Sequence, residues 1–136
     1  MKMIVLCGSS DTGKTTTLFE LVSALIARGA TLASPAAMTR VPVDYYRLSY
    51  LGQTILIATD GDDQKRIAKN FAQVTPTTDV FIMASRAKNG SRMLEQIEQF
   101  AKSHKTVTFY VAALAVGVIP QLQIRQARID QIVRLV

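Results

Sequence analysis

The sequence predicts an α/β protein: a three-layer α/β/α sandwich around a mostly parallel sheet, with one antiparallel hairpin strand at an edge. Three patterns carry that expectation. An all-apolar run, MIVLC at residues 3–7, stops at a glycine, as a strand buried on both faces does. Further strand-like runs alternate with stretches whose apolar residues recur at helical spacing. Two β-rich runs also flank a short turn containing Gly52, which is a hairpin signal.

Taken in order, the elements follow from spacing and stop signals. After the first strand, Leu18, Val22 and Leu25, with Phe19 and Ile26 alongside, trace one face of a helix that Gly29 ends. Residues 30–43 have no clean period and carry Pro35 and Pro42, so a long loop is expected there. The hairpin follows, its second run (54–59) the more apolar and so the deeper in the sheet. A helix starts near Asp62, with Ile67, Phe71 and Val74 on its inner face. DVFIMA (79–84) reads as a strand, SRMLEQIEQFAKSH as a helix burying Met93, Ile97 and Phe100, and TVTFYVAAL as a strand. Pro120 suits the first turn of a final helix reaching Val136. The chain shows no internal repeat and no low-complexity segment.

Composition bounds the function classes. With 136 residues, 49% of them apolar and 19% charged, the chain is expected to form one globular domain over 1–136. Cys7 is the one cysteine, so no internal disulfide can form, and a reducing, cytoplasmic compartment is expected. The opening MKMIVLCG is too short for a secretory signal. The uncharged stretch 106–123 contains Gly117 and Pro120 and falls short of a bilayer span, so no membrane partner is expected. A formal charge of +6 attracts polyanions, including nucleotides and nucleic acid, or else marks a solvated basic surface. Lys65, Arg66 and Lys69 cluster, whereas Arg125, Arg128 and Arg134 spread around a helix axis.

The most specific motif is Gly8-Ser9-Ser10-Asp11-Thr12-Gly13-Lys14-Thr15, which fits G-x-x-x-x-G-K-[ST] in full. It resembles the Walker A motif of P-loop NTPases, and the required strand before and helix after are both predicted. Glycines let the backbone curl so that successive N–H groups face phosphate oxygens, and the next helix presents its positive end to them. Residues Gly8 to Thr16 thus form the candidate nucleotide site. Lys14 would reach the β- and γ-phosphates and the Thr15 hydroxyl would sit on Mg²⁺. The predicted fold is accordingly a P-loop NTPase sandwich, with Mg²⁺ and ATP or GTP as cofactors.

Such a site needs an acidic partner for Mg²⁺, expected at the end of a neighbouring strand. TILIATD supplies Asp60; the other reading is that Asp60, Asp62 or Asp63 caps the next helix. The order of phosphate loop, helix, long loop, hairpin and acidic turn resembles that of Ras-like small GTPase domains. That family reads D-x-x-G-Q after the hairpin, where this chain has Asp60-Gly61-Asp62-Asp63-Gln64, with Asp63 in place of the glycine. The resemblance makes Gln64 a candidate for orienting the attacking water. It also makes Thr39, or more weakly Thr31, a candidate to close over Mg²⁺. The family's N-K-x-D motif, which selects guanine, has no counterpart in YVAALAVG. ATP and GTP therefore stay open.

Arg86, Lys88 and Arg92 follow a strand end on the expected nucleotide side, as a phosphate clamp or an ordinary basic loop. Cys7 reads as a buried strand-end residue or a reactive thiol, and His104, near a helix end, has no catalytic partner in the sequence. These residues lead first to a Mg²⁺-dependent NTP hydrolase or nucleotide switch, with Lys14, Asp60 and Gln64 catalytic and a protein partner to stimulate it. The alternatives are a small-molecule or nucleotide kinase, with Asp62 or Asp44 near the acceptor, and a nucleotide-binding module acting on nucleic acid.

Overall fold

A computed structural model describes residues 1–8, 13–86, 92–112 and 121–136, with backbone alone over 121–124. The elements run β1 (Lys2–Cys7), α1 (Lys14–Ala27), β2 (Thr31–Ser34), β3 (Tyr45–Tyr50), β4 (Gln53–Ala58), α2 (Gln64–Ala72), β5 (Val80–Ser85), α3 (Arg92–Ser103), β6 (Val107–Ala112) and α4 (Gln121–Leu135). They build one six-stranded sheet in the order β2-β3-β4-β5-β1-β6. β1 pairs in parallel with β5 and β6, and β4 in parallel with β5. β3 runs against both of its neighbours and is the one antiparallel strand.

Alternation along the strands assigns the two faces. Ile4 and Leu6 of β1, Ile55 and Ile57 of β4, and Ile82 of β5 pack with α1 and α4 through Leu18, Leu21, Leu25 and Ile132. Met3, Val5, Leu56, Phe81 and Met83 point the other way, onto Ile67 of α2 and Ile97 of α3. Both faces of the central strands are therefore covered, which is why their sequences are continuous apolar runs with no polar alternation. The expected three-layer α/β/α sandwich with one antiparallel strand is the architecture found. On the second face, Phe71 stacks on Phe100 with ring centroids 4.1 Å apart.

Three expectations need correction. Residues 30–43 are not all loop: Thr31–Ser34 forms β2, paired antiparallel to β3. Only Leu32 of that strand packs on the core, so its sequence carries no alternating signal. β2 therefore takes the sheet edge, and the antiparallel strand β3 is internal and not at the edge. The helix expected near Asp62 starts at Gln64, because the Asp63 side chain accepts the Arg66 backbone N–H at 2.8 Å and caps it. Val74 lies beyond that helix but still packs on the core. Pro120 falls outside the described residues.

Other signals behave as expected. α1 stops at Gly29, where Gly29 N–H bonds Ile26 and Ala30 N–H bonds Leu25, satisfying the last carbonyls. Leu51 and Gly52, both at positive φ, make the two-residue turn between β3 and β4. The four parallel strands β4, β5, β1 and β6 end on one side of the sheet, where ligands of such sheets bind.

Candidate nucleotide-binding site

β1 ends at Cys7, and the N–H of the next residue, Gly8, bonds the Ser85 carbonyl at 3.1 Å, joining it to the end of β5. Ser9, Ser10, Asp11 and Thr12 lie outside the described residues. The chain re-enters at Gly13, whose φ of 73° is left-handed backbone that favours glycine. Gly13 is the N-cap of α1, no side chain among the described residues caps the helix, and its first turn has no acidic residue. The Gly13 carbonyl takes the Thr17 N–H at 2.9 Å and the Thr17 hydroxyl at 2.8 Å. The positive end of the α1 dipole favours an anion at this position.

Lys14 is only 4% exposed, and its Nζ donates to the Gly8 carbonyl at 2.9 Å. A buried ammonium in an otherwise apolar neighbourhood is costly unless polar groups surround it. Beside it, Cys7 has its thiol pushed up to about 11, first by burial, with the Lys14 charge pulling it partly back. Cys7 is therefore a protonated strand-end residue and not a reactive thiolate at neutral pH.

A cavity of about 200 Å³ opens at this helix end, lined on one side by Gly13, Lys14, Thr15 and Thr16. Thr59, Gly61, Asp62 and Ala84 line the other. Thr15 Oγ1 donates to the Thr59 carbonyl at 3.0 Å, closing the floor. Gly61 is there because nothing larger fits: a Cβ on it would lie 1.8 Å from the Ala84 carbonyl oxygen. The Asp62 carboxylate lies 4.0 Å from Arg86 Nε, itself a buried nitrogen with no hydrogen-bond partner among the described residues.

The sequence-predicted residues divide around this cavity. Gly13, Lys14, Thr15 and Thr16 line it. Asp60 does not: its carboxylate pairs with Arg66, Oδ1 accepts the Asp62 N–H at 3.3 Å, and its carbonyl accepts Asn70 Nδ2 at 2.7 Å. Moreover, the strand leading to Asp60 is not the neighbour of β1 that was expected, since β5 lies between them. Asp60 opens instead onto a second cavity of about 190 Å³, with Asp44, Tyr45, Arg66, Lys69 and Asn70. There the Tyr45 hydroxyl is pushed up by burial and then by the Asp44 and Asp60 carboxylates.

Gln64 is exposed at the start of α2, and its carbonyl accepts Gln96 Nε2 at 3.2 Å. Thr39 bonds the Val41 carbonyl at 2.7 Å and the Tyr46 hydroxyl at 2.9 Å, and lines neither cavity. Arg92 is exposed at the start of α3, and Lys88 lies outside the described residues. His104 stacks on Phe100 at 4.0 Å and bonds its carbonyl through Nδ1 at 2.9 Å, a structural role. Thr59, Gly61 and Ala84 were not among the candidates. The glycine following the apolar run of β4 is the one signal that marks them.

A mostly parallel sheet covered by helices on both faces, with the end of β1 and the start of α1 meeting at a cavity, is consistent with a sandwich of the P-loop NTPase type. A family model described as RNA helicase matches residues 4–107, and the chain belongs to that family. No curated protein and no solved structure matches it. Among the described residues, no helix is long and apolar enough to cross a membrane.

Proposed function

We propose that the chain binds a Mg²⁺–nucleoside triphosphate in the cavity at the head of α1 and hydrolyses it, in the service of an RNA-directed task. The observation that carries this reading is the meeting of buried Lys14, the uncapped α1 terminus and the Asp62 carboxylate at one cavity. Phosphates would sit against the first N–H groups of α1 and the Lys14 ammonium, with residues Gly8 to Thr16 as the loop around them.

The donor set suits Mg²⁺: a hydroxyl on Thr15 and a carboxylate on Asp62, both hard oxygen ligands, face the same cavity. When bound, Mg²⁺ neutralises charge on the β- and γ-phosphates. Asp62, not Asp60, is the metal-side carboxylate in this arrangement, because Arg66 engages Asp60 on the far side of the turn. Arg86, 4.0 Å from Asp62 and without a hydrogen-bond partner at Nε among the described residues, would take a phosphate oxygen. Gln64, in orienting water, and Arg92, as a further clamp, would each need to approach the cavity, which neither lines. Thr39 would need the 35–44 segment to move before it reached a metal.

The RNA-directed part rests on the family and on the chain's +6 charge. The test is phosphate release with Mg²⁺ and ATP or GTP, with and without single-stranded RNA, for the protein and for Lys14→Ala. Release that vanishes in Lys14→Ala and rises with RNA is expected, and the preferred base is read from the same assay. Binding of neither nucleotide would overturn the reading.

A further inference from the structure

Two cavities share one turn. Thr59, Gly61 and Asp62 face the cavity at α1, while Asp60, between them, faces the second cavity between the start of β3 and α2. The second cavity is nearly as large, about 190 Å³ against about 200 Å³, and no role described so far uses it. Its walls carry an unusual mixture: the cations Arg66 and Lys69, the aromatic ring of Tyr45, and the carboxylates of Asp44 and Asp60.

Partner chemistry narrows what such a mixture would take. Arg66 is half-exposed, held by Asp60 and, at 3.8 Å, by Asp63. Lys69, one turn further along α2, makes no hydrogen bond or ion pair among the described residues. Asp44 likewise has no partner for its carboxylate among the described residues, although its backbone carbonyl takes the Thr59 N–H at 3.0 Å. A bare phosphate ion would gain from Lys69 but would be repelled by Asp44 and Asp60. A ligand that carries an anion, a flat ring and hydrogen-bond donors satisfies all of these groups together.

We propose that this second cavity holds one nucleotide of a single-stranded RNA, in a site separate from the one for the triphosphate. Its phosphate lies against Lys69 and Arg66, its base against the Tyr45 ring, and its ribose 2′-hydroxyl or base N–H donates to Asp44. The RNA phosphate competes with Asp60 for Arg66, so occupancy is felt in the Thr59–Asp62 turn that also walls the triphosphate cavity. This rests on the RNA-directed reading above but assigns it a place on the chain and a link to the triphosphate site. By reciprocity, whatever factor RNA applies to nucleotide affinity, nucleotide applies to RNA affinity.

The experiment is fluorescence anisotropy with a labelled ten-nucleotide oligouridylate, without nucleotide, over a series of salt concentrations. A DNA oligomer of matching sequence and inorganic phosphate serve as competitors. Lys69→Ala is expected to weaken RNA binding and reduce the salt slope by about one, with Lys69→Arg restoring both. Tyr45→Leu should also weaken it, and Asp44→Asn should shrink the preference for RNA over DNA. Asp60→Asn should strengthen binding, by up to about fivefold, because Arg66 loses its competitor. A merely structural role for Asp60 would not move affinity in that direction. Thermal unfolding of each variant checks that it folds.

RNA affinity unchanged in both Lys69→Ala and Tyr45→Leu, or competition by inorganic phosphate as effective as by RNA, would overturn the proposal. So would absence of RNA binding by the unaltered protein. ATP and GTP titrations on the same samples keep the two readings apart: loss of triphosphate binding in Lys14→Ala upholds the first site whatever the second does.

Discussion

Thr15 Oγ1 donates to the carbonyl of Thr59 across 3.0 Å, so the first turn of α1 and the end of β4 are joined by one hydrogen bond. The bond crosses 44 residues of sequence and holds the two walls of the cavity at the head of α1 in register. Thr15→Val keeps the side-chain shape but removes the donor, leaving the Thr59 carbonyl short of a partner. Stability should fall by about 1 kcal/mol. Mg²⁺-dependent nucleotide affinity should fall about tenfold, the equivalent of about 1.4 kcal/mol. Thr15→Ser should keep both. Urea unfolding and nucleotide titration with and without a chelator measure the two effects.

Cys7 supplies a pH prediction with a definite sign. Burial pushes its thiol from the ordinary 9.0 to about 11, so the folded protein keeps a proton that the unfolded chain releases. Its contribution to stability is complete below pH 9.0 and is lost as pH rises toward about 11. The stability difference between the protein and Cys7→Ala, followed by urea unfolding from pH 8 upward, should therefore narrow through that window. Alkylation of the thiol at neutral pH should be slow. A difference that widened with pH would contradict the burial argument.

Much of the fold was legible because its central strands are buried on both sides. Residues 3–7, 55–58 and 80–84 are apolar throughout since α1 and α4 cover one face and α2 and α3 the other. β2 was not legible for the opposite reason: an edge strand with one partly buried apolar side chain satisfies its backbone through β3 and imposes no pattern. At the candidate site, Lys14 and Thr15, expected from the spacing of the glycine-rich motif, line the cavity at the head of α1. The choice between Asp60 and Asp62 was not legible. The apolar run of β4 locates the acidic turn, but Arg66 on the following helix pairs with the Asp60 carboxylate while Asp62 lies near Arg86 at the end of β5. Spacing does not encode which of two aspartates a helix residue will capture.

The buried Tyr46 hydroxyl governs the segment between β2 and β3. It accepts the Val43 N–H at 3.1 Å and bonds the Thr39 hydroxyl at 2.9 Å, while the ring is 0% exposed. Tyr46→Phe leaves the ring packed on Phe19 but strips Val43 N–H of its acceptor. A cost of about 1–2 kcal/mol follows from the unsatisfied donor. Limited proteolysis should cut the variant faster within 35–44 than elsewhere. Equal cutting rates in the two proteins would show that the hydroxyl does not hold this segment.

Asp60 and Asp62 make opposite predictions although they sit two residues apart. Asp62 faces the triphosphate cavity and lies near Arg86, whereas Asp60 is engaged by Arg66 outside it. If the metal-side carboxylate is Asp62, Asp62→Asn should lower phosphate release by about a hundredfold or more, the scale expected when one charged group is lost from a transition state. It should also raise the Mg²⁺ concentration needed for half-maximal release. Asp60→Asn breaks a half-exposed ion pair, so its cost in stability should stay below about 1 kcal/mol. Its phosphate release should fall by less than about tenfold, a loss of under ~1.4 kcal/mol in barrier terms. Both variants are compared by phosphate release across a Mg²⁺ titration, with thermal unfolding as the fold control. The reverse ranking, with Asp60→Asn the deeper loss, would mean that the carboxylate leaves Arg66 and turns into the cavity when nucleotide binds. The Asp60–Arg66 pair would then describe the empty site and Asp60 the working one.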